Sequence, residues 1–363
     1  MKQYIVNRSD LIHNIQAICR RAGTAQVIGV LKGQGYGLGL LEFASLLQEN
    51  GVVFFAVSEL EEAIALREAG FDNDILLLTA TTLEEELRLC IEHGIIAAVG
   101  SLHGLATLNR LAEEKGCQAR AHLKLDTGFG RFGFICEDIQ NAAAAIKQAG
   151  QVRMEGVFSH FSFSFSNNRK DVQVPYDKFL HCIAVLERNG ITGLMRHICN
   201  SCAFLQYPDM HLDAVRIGSA FLGRLPLPNT YGLKRIGALH SQVIEVKTLP
   251  KGYTVGYANT YKTKRETQIA IVPVGYKDGF GVEKSNDTFR PMDILRYLYH
   301  DLRNIGKILQ VWINGKPARI IGRVSMYNIV LDVTGMEVRP GADVILPANP
   351  ILVSRDIPRV YQS

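Results

Sequence analysis

Nowhere in the 363 residues do about 18 apolar residues run together, so no membrane-spanning helix is expected. The opening MKQYIVNRSDLIHNIQAIC has no unbroken apolar stretch and no small-residue cleavage site, which argues against a signal peptide. Lys and Arg nowhere gather among aromatics, and the net charge of +5 is spread along the chain. That pattern disfavours a nucleic-acid partner and at most suits an anionic ligand. A second paired cysteine motif is lacking too. Seven cysteines at irregular spacing argue against a disulfide framework and for reduced thiols in a cytoplasmic protein. Cys199 and Cys202 form one C-x-x-C, a pattern that suits a redox pair or half a zinc site, and without a second pair no metal is expected. What is present is ordinary: 47% apolar and 21% charged residues, enough for a substantial core. The length suits one large domain plus a smaller one, or a single elaborated barrel.

Up to about residue 225, short β-rich apolar runs alternate with helical stretches. The runs are VIGVLK (27–32), VFFAVS (53–58), DILLLT (74–79), IIAAVG (95–100), AHLKLD (121–126), MEGVFSHF (154–161), RHICNS (196–201) and AVRIGS (214–219). Between them, LEEAIALREAG (60–70) and LEEELRLCIEHG (83–94) each end at a glycine, a common helix stop. Continuous apolar runs fit parallel strands covered on both faces. The count points to a (β/α)₈ TIM-type barrel over residues 1–230, with a doubly wound open sheet as the alternative. After about residue 235 the pattern becomes strands broken by Pro-Gly, Asp-Gly and Asn-Gly turns, which predicts an all-β C-terminal domain over 231–363. An insert at 284–306 interrupts it, and helical spacing of Met292, Leu295, Leu298 and Leu302 predicts a surface or partner-facing helix there.

A barrel of this kind carries its active site at the C-terminal ends of its strands. At those ends stand Lys32, Lys124 with Asp126 (TGFGR carrying Arg131 into the next loop), His160, Asn200 with Ser201, and Arg216 with Gly218 and Ser219. Singly, each has a plain structural reading: His160 as a satisfied core histidine, Arg216 as an ion-pair partner of Asp213, Ser201 as a helix N-cap. Together they assemble cations, a hydroxyl, glycine-flanked backbone N–H groups and an amine. That set suits a phosphate at a helix N-terminus beside a lysine able to bond an aldehyde, the arrangement used with pyridoxal phosphate.

In order along the chain, VLKGQGYGLG, KLDTGFGRFG, GVFSHF, RHICNS, DAVRIG, VGYANTY, VPVGYKDG and GRVSMYN resemble the alanine racemase family. The resemblance implies pyridoxal 5'-phosphate as cofactor, a homodimer with shared active sites, and racemisation of a small L- or D-amino acid by two bases. Lys32 would hold the cofactor and act as base on one face, with Tyr257 of the partner subunit on the other. Tyr36 would bind the phosphate with Ser201, Gly218 and Ser219, next to Asn200. Arg216 would face the pyridine nitrogen, oriented by His197 with His160 nearby. Arg131 would reach the cofactor's phenolic oxygen and the substrate carboxylate. Lys124 matches a lysine often carbamylated in the family, while Tyr276 and the Met326 backbone would line the substrate entrance.

The chain departs from the family pattern at Gly33, Gln34, Gly35 and Leu38, at Tyr327, and in the insert. It also lacks a C-terminal tyrosine that crowds the substrate in alanine racemases; Pro347 or Asn349 falls near that place. The extra room makes the chain similar as well to the serine/alanine racemase domains of vancomycin-resistance operons, and implies serine or a broader range of small amino acids as the alternative substrate. Two further alternatives are a non-catalytic pyridoxal-phosphate protein, which would lack the β domain, and a basic-amino-acid decarboxylase, which would need a cysteine after Cys202.

Overall fold

In the computed structural model the described residues are 2–228, 231–283, 285–307 and 309–362. The domain boundary expected at 230, the final residue of the second expected domain (363), and Lys284, which opens the insert, lie outside them. The chain divides into two compact units, Arg8–Ile236 and Met1–Asn7 with Gly237–Ser363.

Strand β1 (Gln3–Asn7) belongs to the second unit. Every apolar run of the first unit forms a strand: β2 (Gln26–Val30), β3 (Phe54–Val57), β4 (Asp74–Leu77), β5 (Ala97–Val99) and β6 (Ala119–Asp126). After the two-residue β7 (Phe134–Ile135) beside β6 come β8 (Val152–Phe158), β9 (Met195–His197) and β10 (Ala214–Ile217). The sheet runs β4-β3-β2-β10-β9-β8-β6-β5, all parallel. Its two edges then meet. The Leu77 N–H donates to the Ile96 carbonyl at 3.0 Å and the Ile96 N–H to the Ile75 carbonyl at 2.9 Å. The sheet therefore closes into an eight-stranded barrel, filled by Ile28, Phe54, Leu76, Ile96, Phe158 and Ala214. Helices Leu60–Glu68 and Glu84–Glu92 stand where the glycine-terminated patterns predict them.

The second unit is a nine-stranded sheet in which β1 lies between Ala238–Gln242, antiparallel, and Arg359–Gln362, parallel. Alternation decides its place: Tyr4 and Val6 are fully buried while their neighbours are not. The sequence reading grouped these first residues with the barrel, because five residues carry no sign of a pairing partner so distant in the chain. A ribbon, Thr254–Val255 with Tyr261–Lys262, projects a loop that carries Tyr257. The insert forms helix Pro291–Asn304, with Met292, Leu295, Leu298 and Leu302 exposed.

Candidate active site

Lys32 leaves β2 at the C-terminal mouth of the barrel and opens a turn wound the wrong way for L-residues. Gly33, Gln34 and Gly35 have φ/ψ of 64/45°, 57/53° and 63/40°, and Tyr36 follows at φ 55°. A left-handed turn costs roughly 1–2 kcal/mol for each residue with a Cβ, so glycine at two of these positions relieves part of the strain. The remainder is held by tertiary contacts. The Gln34 N–H donates to the Glu62 carboxylate at 2.8 Å, and the Tyr36 ring lies against Gly218. A Cβ on Gly218 would sit 2.4 Å from the phenol oxygen, so only glycine admits the ring there. Burial pushes the Tyr36 hydroxyl up to about 12, and the group stays protonated as a hydrogen-bond donor.

The turn borders a cavity of about 430 Å³ lined by Lys32, Lys124, Arg131 and Arg216 among others. Lys32 is accessible through this opening, yet its pKa is lowered, first by the partial loss of water and then by Arg131 and Arg216, with Glu62 opposing. Lys124 is buried, with its amine 4.6 Å from the centre of the Phe158 ring and no carboxylate partner among the described residues. Burial first, then Arg216 and Arg131, bring it down to about 7, so a large fraction is free amine at neutral pH.

Arg216, on β10, is buried and bonded only to neutral groups. It donates to Ser159 O at 2.6 Å, His197 O at 3.0 Å and Ile198 O at 3.2 Å, and meets His197 Nδ1 at 2.9 Å and His160 Nδ1 at 3.2 Å. Burial lowers it to about 10, which leaves it charged at neutral pH. Asp213, the partner considered from sequence, pairs with Arg196 at 2.7 Å instead, so Arg216 keeps its charge for the cavity. Burial, reinforced by Arg216, holds His197 and His160 well below their ordinary range, and burial takes His122 down to about 4. A guanidinium has only protons to give, so His197 accepts at Nδ1 and carries its proton on Nε2, 3.0 Å from His122 Nδ1.

Ser201 begins the short helix Ser201–Gln206, but the cap is Asn200, whose Oδ1 accepts the Ala203 N–H at 3.1 Å. The Ser201 hydroxyl instead takes the N–H groups of Gly218 (3.1 Å) and Ala220 (3.3 Å), tying the helix to the loop after β10, where Ser219 also faces the cavity. Cys199 and Cys202 are buried, unbonded to each other, and raised by burial to about 12 and 11, so neither is a reactive thiolate. Among the described residues no His, Cys, Asp and Glu cluster is placed to hold a metal.

Two supports were not assigned roles from sequence. Glu62 looks like one more acidic residue in the first turn of a surface helix. Asp126 closes β6, and its carboxylate collects four backbone N–H groups of the next loop: Gly128, Phe129 and Gly130 at Oδ1 (2.9, 2.8 and 3.1 Å) and Arg131 at Oδ2 (3.0 Å). Against the upward pull of burial, those bonds hold it below the usual carboxylate range. Its signal was legible: an aspartate followed closely by two glycines is an Asx-turn pattern. The loop so formed sets the Arg131 guanidinium 4.3 Å from the centre of the Phe129 ring. Asp126→Ala is expected to destabilise the fold by about 2 kcal/mol or more, since bonds worth about 1 kcal/mol each are lost together. An unchanged denaturation midpoint would show that other groups hold the loop.

Tyr257, Tyr276 and Met326 lie in the second unit, all exposed on loops. Tyr276 and Met326 are brought together. The Tyr276 N–H donates to Ser325 O at 3.1 Å, the Lys277 N–H to Met326 O at 3.2 Å, and Gly275 fits tightly over both carbonyls. The C-terminal segment rests on the same turn, with the Leu352 carbonyl pressed against Gly279.

Family models for the alanine racemase N-terminal and C-terminal domains match residues 6–226 and 236–354. The alanine racemase of Carboxydothermus hydrogenoformans is 33% identical over 350 residues, 94% of this chain and 88% of that protein. Among solved structures, alanine racemase from E. faecalis superposes with a TM-score of 0.85 at 30% identity, covering 99% of this chain and 98% of that one. The alanine racemase of Bacillus anthracis with bound L-Ala-P gives 0.83 at 25% identity, covering 100% and 95%. No helix among the described residues is long and apolar enough to cross a membrane. With both domain models matched in order across a closed parallel barrel and a β unit, the chain belongs to the alanine racemase family, isomerases that use pyridoxal phosphate.

Proposed function

We propose that this chain interconverts L- and D-alanine with pyridoxal 5'-phosphate, using Lys32 and Tyr257 of a second copy of the chain as opposed bases. The carrying observation is a lysine of lowered pKa at the rim of a cavity that also takes up Lys124, Arg131 and Arg216. The residues fit the cofactor. Arg131 and Arg216, joined by whatever charge Lys124 keeps, call for an anionic ligand. Tyr36 and Ser201 with Gly218 and Ser219 offer hydroxyls and backbone beside a glycine whose missing side chain leaves room for the Tyr36 phenol. Bound there, pyridoxal phosphate supplies an electron sink for the pair left when the substrate's α-hydrogen departs.

The rest of the chemistry belongs to the side chains. Lys32 holds the cofactor through its amine; its lowered pKa keeps that amine unprotonated often enough to bond an aldehyde and, when released, to take a proton. Arg131 binds the substrate carboxylate as a charged fork. Arg216 keeps its own proton, because even at about 10 its pKa is far above neutrality, so it gives none to a ring nitrogen facing it. By withholding its proton, Arg216 would keep the electron sink supplied there a weak one. Neutral His197 and His160 hold that guanidinium in place. Tyr276 and the Met326 backbone would line the approach of the substrate.

A second reading, serine or a broader set of small amino acids, is favoured by the C-terminal segment. It forms turns over 349–357, of which Leu352 and Val353 lie against Gly279, and a tyrosine is absent at Pro347 and Asn349. Turnover of L-alanine, L-serine and larger L-amino acids by the purified protein decides between the two. An apolar site separates alanine from serine by about 10²-fold at most. A kcat/KM ratio within that range supports the broader reading, and a much larger preference for alanine removes it. Bound cofactor with no turnover of any amino acid would leave a pyridoxal-phosphate-binding protein.

A further inference from the structure

Glu62 is 1% exposed and has no place in the reaction as described above. It sits in the first turn of helix Leu60–Glu68, beside the strained turn that begins at Lys32. One carboxylate oxygen, Oε1, accepts the Gln34 N–H at 2.8 Å. The other, Oε2, is buried without a hydrogen-bond partner, and burial raises the carboxyl's pKa against the pull of nearby backbone N–H groups. A buried carboxylate that spends half its capacity on one backbone group at the centre of a left-handed turn is costly unless the turn is what it serves. The turn carries Lys32 at one end and Tyr36 at the other. Among the groups that act on Lys32, Arg131 comes from the loop after β6, Arg216 from β10, and Glu62 from helix Leu60–Glu68. Glu62 is the one that favours the charged amine. His160, neutral, is within the field of Lys32 as well.

We propose that Glu62 is the positioning residue for Lys32: through Gln34 it locks the left-handed turn that aims Lys32 and Tyr36, and its carboxylate offsets the cations around the amine. The inference rests on Lys32 being the reactive lysine of the proposed function. Two substitutions separate its parts. Glu62→Gln keeps an acceptor for Gln34 and removes the charge; Glu62→Ala removes both.

Lys32 reactivity is measured in the purified protein freed of cofactor, by acetylation with acetic anhydride across pH and peptide mass mapping. Binding of pyridoxamine 5'-phosphate, which has no aldehyde, reports the phosphate side through Tyr36. In Glu62→Gln the acetylation midpoint is expected to move to lower pH, raising the rate at pH 7 by about threefold or more, with pyridoxamine phosphate affinity unchanged. In Glu62→Ala that affinity is expected to fall by about tenfold as the turn loses its clamp. An unshifted Lys32 midpoint in Glu62→Gln, in a protein that folds and binds the cofactor analogue as wild type does, overturns the electrostatic role. Wild-type affinity in Glu62→Ala overturns the clamp. If wild-type Lys32 fails to retain pyridoxal phosphate, the proposed function falls instead, and the acetylation profiles still decide the role of Glu62.

Discussion

Lys32→Ala is expected to lower kcat for alanine racemisation by at least about 10⁴-fold, because one substitution removes both a covalent anchor and a base. Lys32→Arg should lose as much. Arginine preserves the charge at the cavity mouth, but a guanidinium neither bonds an aldehyde nor gives up its proton near neutrality. The pair of variants therefore separates amine chemistry from charge. Borohydride reduction of the wild-type holoenzyme should leave the cofactor's mass on the peptide containing Lys32 and on no other. Residual activity within tenfold of wild type in either variant would move the reactive amine elsewhere, with Lys124, lowered by burial to about 7, the next candidate.

Tyr257→Phe carries the second large effect, a loss of about 10²–10³-fold in racemisation, within the range of a positioned general base. The two enantiomers have equal free energy, so kcat/KM must fall by the same factor in both directions. The one-sided nature of the loss shows only in hydrogen exchange. In deuterated water one enantiomer should still exchange its α-hydrogen without inversion, while the other loses exchange along with racemisation. Equal retention of exchange in both would remove Tyr257 as a base. Sharing of the site between copies has its own test. Unfolding and reassembling a mixture of Lys32→Ala and Tyr257→Phe protomers should restore activity to about one quarter of wild type. Half of the assembled pairs would be mixed, and each mixed pair would hold one intact site. No recovery would place both residues within one copy's site or deny the pairing.

The eight barrel strands were legible because most are short apolar runs beside glycine-ended helices, and burial on both faces leaves few polar positions to blur the pattern. Lys32 and Arg216, at strand ends, and Arg131, in the loop after one, were placed at the barrel mouth by the strand pattern, and all three line the cavity. The sense of the turn after Lys32 was not: its glycines announce unusual backbone without saying that Gln34 and Tyr36 follow them into the left-handed region. Glu62 was hidden for a different reason. Its partner is a backbone N–H 28 residues earlier, and backbone groups leave no mark in a sequence. The same holds for β1, five residues whose neighbours in the sheet are Ala238–Gln242 and Arg359–Gln362.

That strand has a consequence in time. As the chain is synthesised, residues 8–236 hold every strand of the barrel and can close it first, among largely successive neighbours. Residues 3–7 emerge before any of these, yet both of their partners come later, one of them at 359–362. This strand, made before the barrel, is thus among the last to be paired, and until then it is an unpaired edge that must be kept from pairing elsewhere.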